Sequence, residues 1–182
     1  MRYIELLQFA DLVTSDSWSR LRKYGRPDKV GNTHTPADLY GLTFGELVQA
    51  QKHAQENDIK GLISVLLGMS DTDIKNSDAS EVMAFAYWSS RELERIGQLF
   101  VGLNAEPTPE QLKAGIKNLN HGLFGTLDWY CRRMGITDHS EAENVPWVRI
   151  YKCMKIDSDN NKFETKLRQV YEQQRKQQQC KR

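Results

Sequence analysis

Apolar residues recur along most of this chain at three- and four-residue intervals, the spacing that lines one face of an α-helix. Ile4, Leu7 and Leu12, with Leu6, Phe9 and Val13, predict a first helix over residues 3–13, and a second short one covers residues 18–24. Residues 25–36 (GRPDKVGNTHTP) break the pattern with glycine, proline and short polar side chains, which predicts a loop and a hinge. Thr43 followed by Glu46 has capping-box spacing and opens a helix to about Asn57. Asp58 starts the next helix, and Gly68 ends it in the left-handed conformation that glycine adopts freely. A single turn at residues 71–75 leads to the long central helix, which begins near Ser77 or Asp78. It carries Val82, Met83, Phe85, Ala86, Leu93, Ile96, Leu99, Phe100 and Leu103.

Thr108-Pro109-Glu110 is a helix start: a cap, a proline at the first position and an acid at the positive end of the dipole. Leu112, Ile116, Leu119 and Leu123 continue it as one stripe, with a break at His121-Gly122. The segment LFGTLDWYCRRMG ends at Gly135 with two arginines in its last turn. Pro146 opens a further helix with Val148, Tyr151 and Cys153 or Met154 inward, and the polar run DSDNN, residues 157–161, interrupts it. A last helix over residues 162–174 gathers Phe163, Leu167, Val170 and Tyr171 on one face. Period-two alternation is nearly absent, and there is no Asn-Gly or Asp-Gly turn. The fold class is therefore all-α, a multi-helix domain of about six to eight helices with an N-terminal helical arm. Residues 1–36 form arm and hinge, 37–174 the main domain, and 175–182 a basic, disordered tail.

Composition refines this picture. A chain of 182 residues with 39% hydrophobic and 27% charged residues can build a core without disulfides or metal. The mean hydropathy of −0.64 points to long exposed helix faces. Three cysteines, Cys131, Cys153 and Cys180, give an odd count with no CxxC spacing, which fits a reducing compartment. The chain lacks an apolar signal core and any run of about 20 apolar residues, so a cytoplasmic location, host cytoplasm if the gene is viral, is expected. The net charge of +1 selects no partner, but its distribution is uneven. Residues 71–110 hold eight acids and three bases, whereas residues 162–182 hold seven bases and two acids. Such asymmetry marks either solvated faces or a binding surface, including contact between copies of the chain.

Catalytic and metal motifs are missing. His34, His53, His121 and His139 have no mutual ligand spacing, and no phosphate-binding glycine loop or nucleophile elbow occurs. His121 and Cys131 stand ten residues apart, which an unbroken helix stretches to about 15 Å. Asp157, Asp159 and Asn161 mimic half a calcium loop, but Lys162 and Arg168 replace its glycine and its bidentate glutamate. No enzyme activity, metal or cofactor is expected. Residues 66–82 have a glycine-turn layout like a DNA-reading helix-turn-helix, yet Asp71, Asp73 and Asp78 would repel phosphate. Nucleic acid remains the alternative partner through Arg175, Lys176, Lys181 and Arg182. The aromatics Trp88, Trp129, Tyr130, Trp147 and Tyr151 serve either as core or as anchors for a partner helix, and their neighbours assign Trp129 and Trp147 to the core. Amphipathicity selects Phe44, Leu47 and Trp88 as contacts for a protein partner.

Leu42-Thr43-Phe44-Gly45, the apolar stretch Ile59–Leu67 and the acidic turn at residues 70–74 together resemble the opening of bacteriophage tail assembly chaperones. Residues 125–167, with a short helix, a Val145-Pro146 start and a charged closing helix, are similar to the C-terminal part of such proteins. The resemblance covers residues 41–172. It implies a helical protein that binds a long tape-measure protein and keeps it soluble while tube subunits polymerise around it. Such a partner is a helix-in-groove ligand, held with moderate affinity so that it can be released.

Overall fold

The structure, a computed structural model, describes residues 1–7, 25–103, 107–119 and 121–179. The expected helix at residues 18–24, the first stripe beyond Leu7, and Cys180, Lys181 and Arg182 lie outside the described residues. The molecule is mostly helical, with α1 (Tyr3–Leu7), a hairpin of β1 (Lys29–Val30) and β2 (Thr33–His34), α2 (Phe44–Gln55), α3 (Ile59–Leu67) and α4 (Asp71–Asn76). Then come α5 (Ala79–Val101), α6 (Pro109–Lys113), a 3₁₀ turn (Ile116–Asn118), α7 (Gly122–Met134), α8 (His139–Glu143) and α9 (Trp147–Gln179).

Helix starts follow the side chains that satisfy free backbone N–H groups. Thr43 accepts from the Glu46 N–H at 3.2 Å, while the Glu46 carboxylate accepts from the Thr43 N–H at 2.8 Å. Thr108 and Gln111 repeat this reciprocal box at α6, and the side chains of Asp58, Ser70, Asp78 and Asp138 accept a backbone N–H at the starts of α3, α4, α5 and α8. Gly68 and Gly135 end α3 and α7 at φ 65° and 68°.

Several expectations are corrected. Residues 25–36 are not simply loop, because β1 and β2 pair there through the two-residue turn Gly31-Asn32. Gly31 supplies the positive φ (57°) that a two-residue hairpin demands. The stripe from Leu112 to Leu123 is not one helix: α6 stops at Lys113 and Gly115 turns the chain at φ 83°. Leu112 and Leu119 are consequently exposed. The run at residues 157–161 does not break a helix either. Each polar residue there costs only a few tenths of a kcal/mol in a helix. Lys155 and Asp159 pair at 2.8 Å along the helix, Arg133 holds Asp157 from α7, and the Ser158 hydroxyl donates to the Leu103 carbonyl at 2.8 Å. Residues 175–179, expected to be disordered, continue the same helix.

The first core lies between α2, α5, α7, α8 and the root of α9. It contains Leu39, Phe44, Leu47, Leu93, Ile96, Leu127, Tyr130, Trp147 and Ile150. The second lies between α1, the hairpin, α3, α4 and the first turns of α5, with Tyr3, Val30, Ile63, Ile74, Val82 and Phe85. The described ends of the expected arm are docked on this chain's own body. The Tyr3 N–H donates to the Ser77 carbonyl and the Ala79 N–H to the Met1 carbonyl, each at 2.9 Å. α5 contributes to both cores, and the half-buried Trp88 packs against both.

The first core is locked where α2 and α9 begin. The Phe44 N–H donates to Val145 O at 2.8 Å, and the Trp147 N–H to Leu42 O at 3.2 Å. The buried Trp147 indole N–H donates to the Leu39 carbonyl at 2.8 Å. Its ring lies among Tyr40, Phe100 and Tyr151, with centroids 5.8 to 6.3 Å away.

Candidate functional site

α9 has two unlike parts. Trp147 and Ile150 are buried at its root, whereas every residue from 159 to 179 is exposed. The exposed stretch is about 30 Å long at the α-helical rise. At about 100° per residue, Ile156, Phe163, Leu167 and Val170 fall within an arc of about 60°, with Tyr171 about 40° beyond it. These five are 53%, 65%, 37%, 47% and 56% exposed, so the stripe covers no part of its own body. Its narrowness is that of a coiled-coil seam rather than of a core-facing helix. Asn160 and Gln174 continue the seam, and a polar residue at such a position sets register at a cost in stability. From residue 162 onward, Lys162, Lys166, Arg168, Arg175 and Lys176 outnumber Glu164 and Glu172 on this exposed stretch.

The residues expected to contact a protein partner are placed differently. Phe44 and Leu47 are 1% and 0% exposed and belong to the first core, so they are not available to a partner in this conformation. The apolar stripe of α2 is used against α5 and α9. Trp88 is half-buried, with its ring 5.6 Å from Phe85, and is part of the packing between the two cores. Of the basic set, Arg175 and Lys176 are exposed on α9. Cys131 sits inside the first core, and burial pushes its thiol pKa up, against activation as a nucleophile.

A second feature carries polar groups that the sequence did not bring together. α2 and α3 meet at a tight corner, where Asn57 takes a left-handed φ of 56°. His53 Nδ1 lies 2.9 Å from Asp58 Oδ2 across that corner, while Asp58 Oδ1 accepts from the Gly61 N–H at 3.0 Å. A cleft of about 370 Å³ opens beside them, lined by His53, Ala54, Asn57, Ile59, Leu62 and, from α5, Ala86, Tyr87 and Ser90. The Gly61 N–H, and after it His53, hold the Asp58 carboxyl below the usual carboxylate range. Ser80 does the same for Asp78 at the start of α5, and Lys75 for Asp71.

A depressed carboxyl pKa contributes stability that is present above the unfolded value of about 3.9 and is lost as pH falls through the folded value. The urea midpoint should therefore hold from pH 7 to about pH 5 and drop below pH 4. Asp58→Asn keeps a good cap and should shrink that drop; an unchanged acid limb would refute the assignment.

Among the described residues, no group of three or more His, Cys, Asp or Glu could hold a metal ion, and no helix is long and apolar enough to cross a membrane. No protein-family model, curated protein or solved structure matches the chain.

Proposed function

We propose that this chain is a non-enzymatic helical interaction protein that engages a partner helix through the exposed seam of α9. The observation that carries this reading is Phe163, Leu167 and Val170 held in solvent on a helix rooted in the core. Exposed apolar side chains in one narrow line have no folding role in the chain itself, and a facing helix is the surface they fit. In its finer form the role is that of a bacteriophage tail assembly chaperone or virion assembly component, with a tape-measure or other tail protein as client. The segments that suggest it fall on the start of α2, on α3 and on α4, as a helix-after-helix layout would need. The net basic charge of this stretch suits a client helix of acidic or mixed charge and permits release.

The test is co-expression with a long helical tape-measure protein. The full chain should copurify with it, and replacing Phe163, Leu167 and Val170 by serine should abolish capture. The triple variant should melt within about 6 °C of the parent, because each exposed site rarely changes stability by more than about 0.5 kcal/mol. Undiminished capture by that variant would refute the seam.

A second reading rests on the exposed Arg175 and Lys176. Nucleic-acid binding through the basic end of α9 predicts retention on DNA that weakens steeply with salt and vanishes when residues 175–182 are deleted. Retention indifferent to salt would remove it.

A further inference from the structure

We propose that the cleft between α2, α3 and α5 is a binding site for a small molecule with an apolar body and a hydroxyl head. Its volume, about 370 Å³, falls in the range of ligand pockets, roughly 300–1,000 Å³. Ala54, Ile59, Leu62 and Ala86 give it apolar walls, and His53, Tyr87 and Ser90 supply a few polar groups among them. That mixture is what fixes the orientation of a small ligand.

The chemistry follows from how His53 is held. Asp58, ionised and accepting from Gly61, can only accept, so the Nδ1 beside it carries a proton. The other ring nitrogen, Nε2, is left for a ligand, and His53, Tyr87 and Ser90 are half-buried on the wall of the cleft. Gly61 allows this arrangement: a Cβ there would lie 2.3 Å from His53 Nδ1 and 2.4 Å from Asp58 Oδ2.

With the ring neutral, Nε2 accepts from a ligand hydroxyl. With the ring protonated, Nε2–H donates to the same oxygen. A hydroxyl head therefore satisfies both states, whereas a carboxylate would be served by only one and would face Asp58. A purely structural role, stapling α2 to α3, accounts for Nδ1, Asp58 and Gly61. It leaves His53 Nε2, Tyr87 and Ser90, all half-buried, at the cleft for a ligand to meet in place of solvent.

Phenol is the probe, titrated into ¹⁵N-labelled full-length protein. Saturable amide shifts confined to residues 53–62 and 86–90, with a moving His53 Nε2 resonance, are expected. Ser90→Phe fills the cleft from α5 and should weaken phenol binding at least tenfold while the Nδ1 resonance stays put. His53→Leu should weaken it comparably if the larger ring at residue 90 prevents folding. Shifts that fail to saturate, shifts scattered over the surface, or equal binding by parent and variants would overturn the proposal. None of these outcomes depends on α9, so the proposed function stands or falls separately.

Discussion

Trp147→Ala will lower stability by about 3–5 kcal/mol, the range for truncating a large buried aromatic. Three losses add at one site. The ring is 1% exposed and fills the space between Tyr40, Phe100 and Tyr151. Its indole N–H is the closer donor to the Leu39 carbonyl, which would keep only the longer bond from the Leu42 N–H at 3.5 Å. It is also the first residue of α9, next to the bonds that tie that helix to the start of α2. A melting temperature lower by about 10 °C or more is expected for a chain of this size. Trp147→Phe separates the terms, because it keeps most of the packing and removes the donor. Its cost should be well below that of alanine. Equal costs would mean that the hydrogen bond, not the packing, dominates.

The second large effect shrinks when its neighbour is removed. Gly61→Ala should destabilise the parent by about 1–3 kcal/mol, the usual cost of forcing an atom into occupied space. The new Cβ meets the His53 ring at 2.3 Å and 2.4 Å and Asp58 Oδ2 at 2.4 Å, so relief requires both side chains to shift and their pair to break. In a His53→Ala background the ring contacts are gone, and the Asp58 carboxylate still has to rotate aside. Alanine is favoured over glycine inside a helix by about 1 kcal/mol, so the same substitution should cost clearly less than in the parent. Chemical denaturation of the four proteins in the cycle measures this directly. If Gly61→Ala costs the same in both backgrounds, the His53 ring is not the obstruction.

Much of the fold was legible because its signals are local. Thr43 with Glu46, Asp58, Gly68, Asp78, Thr108 and Gly135 mark helix ends by chemistry that acts within four residues. The hairpin carries no Asn-Gly or Asp-Gly signal, because its turn is Gly31-Asn32, in which glycine comes first. Residues 157–161 misled because their composition suits a break, whereas Arg133 and Leu103, which hold them, are distant in sequence.

The candidate sites divide along the same line. The apolar faces of α2 and α9 look alike as patterns, and periodicity alone cannot say which is turned inward. Phe44 and Leu47 went to the core, and Phe163 and Leu167 to solvent. The pairing of His53 with Asp58 depends on one left-handed residue, Asn57, that folds α3 back on α2. Asparagine tolerates that conformation better than most residues, which was the available hint.

The continuity of α9 also decides how its outer end forms. An isolated helix of about 20 residues rich in glutamine is marginal in water, because the first turn must be nucleated at a large entropic loss. Here the nucleus is already made at Trp147 and Ile150, inside the core. Each further residue needs only elongation, so the outer half opens and closes from the tip like a zip. Amide exchange should slow steadily from Gln179 inward, and a partner that grips the seam would arrest that fraying without having to fold a new segment.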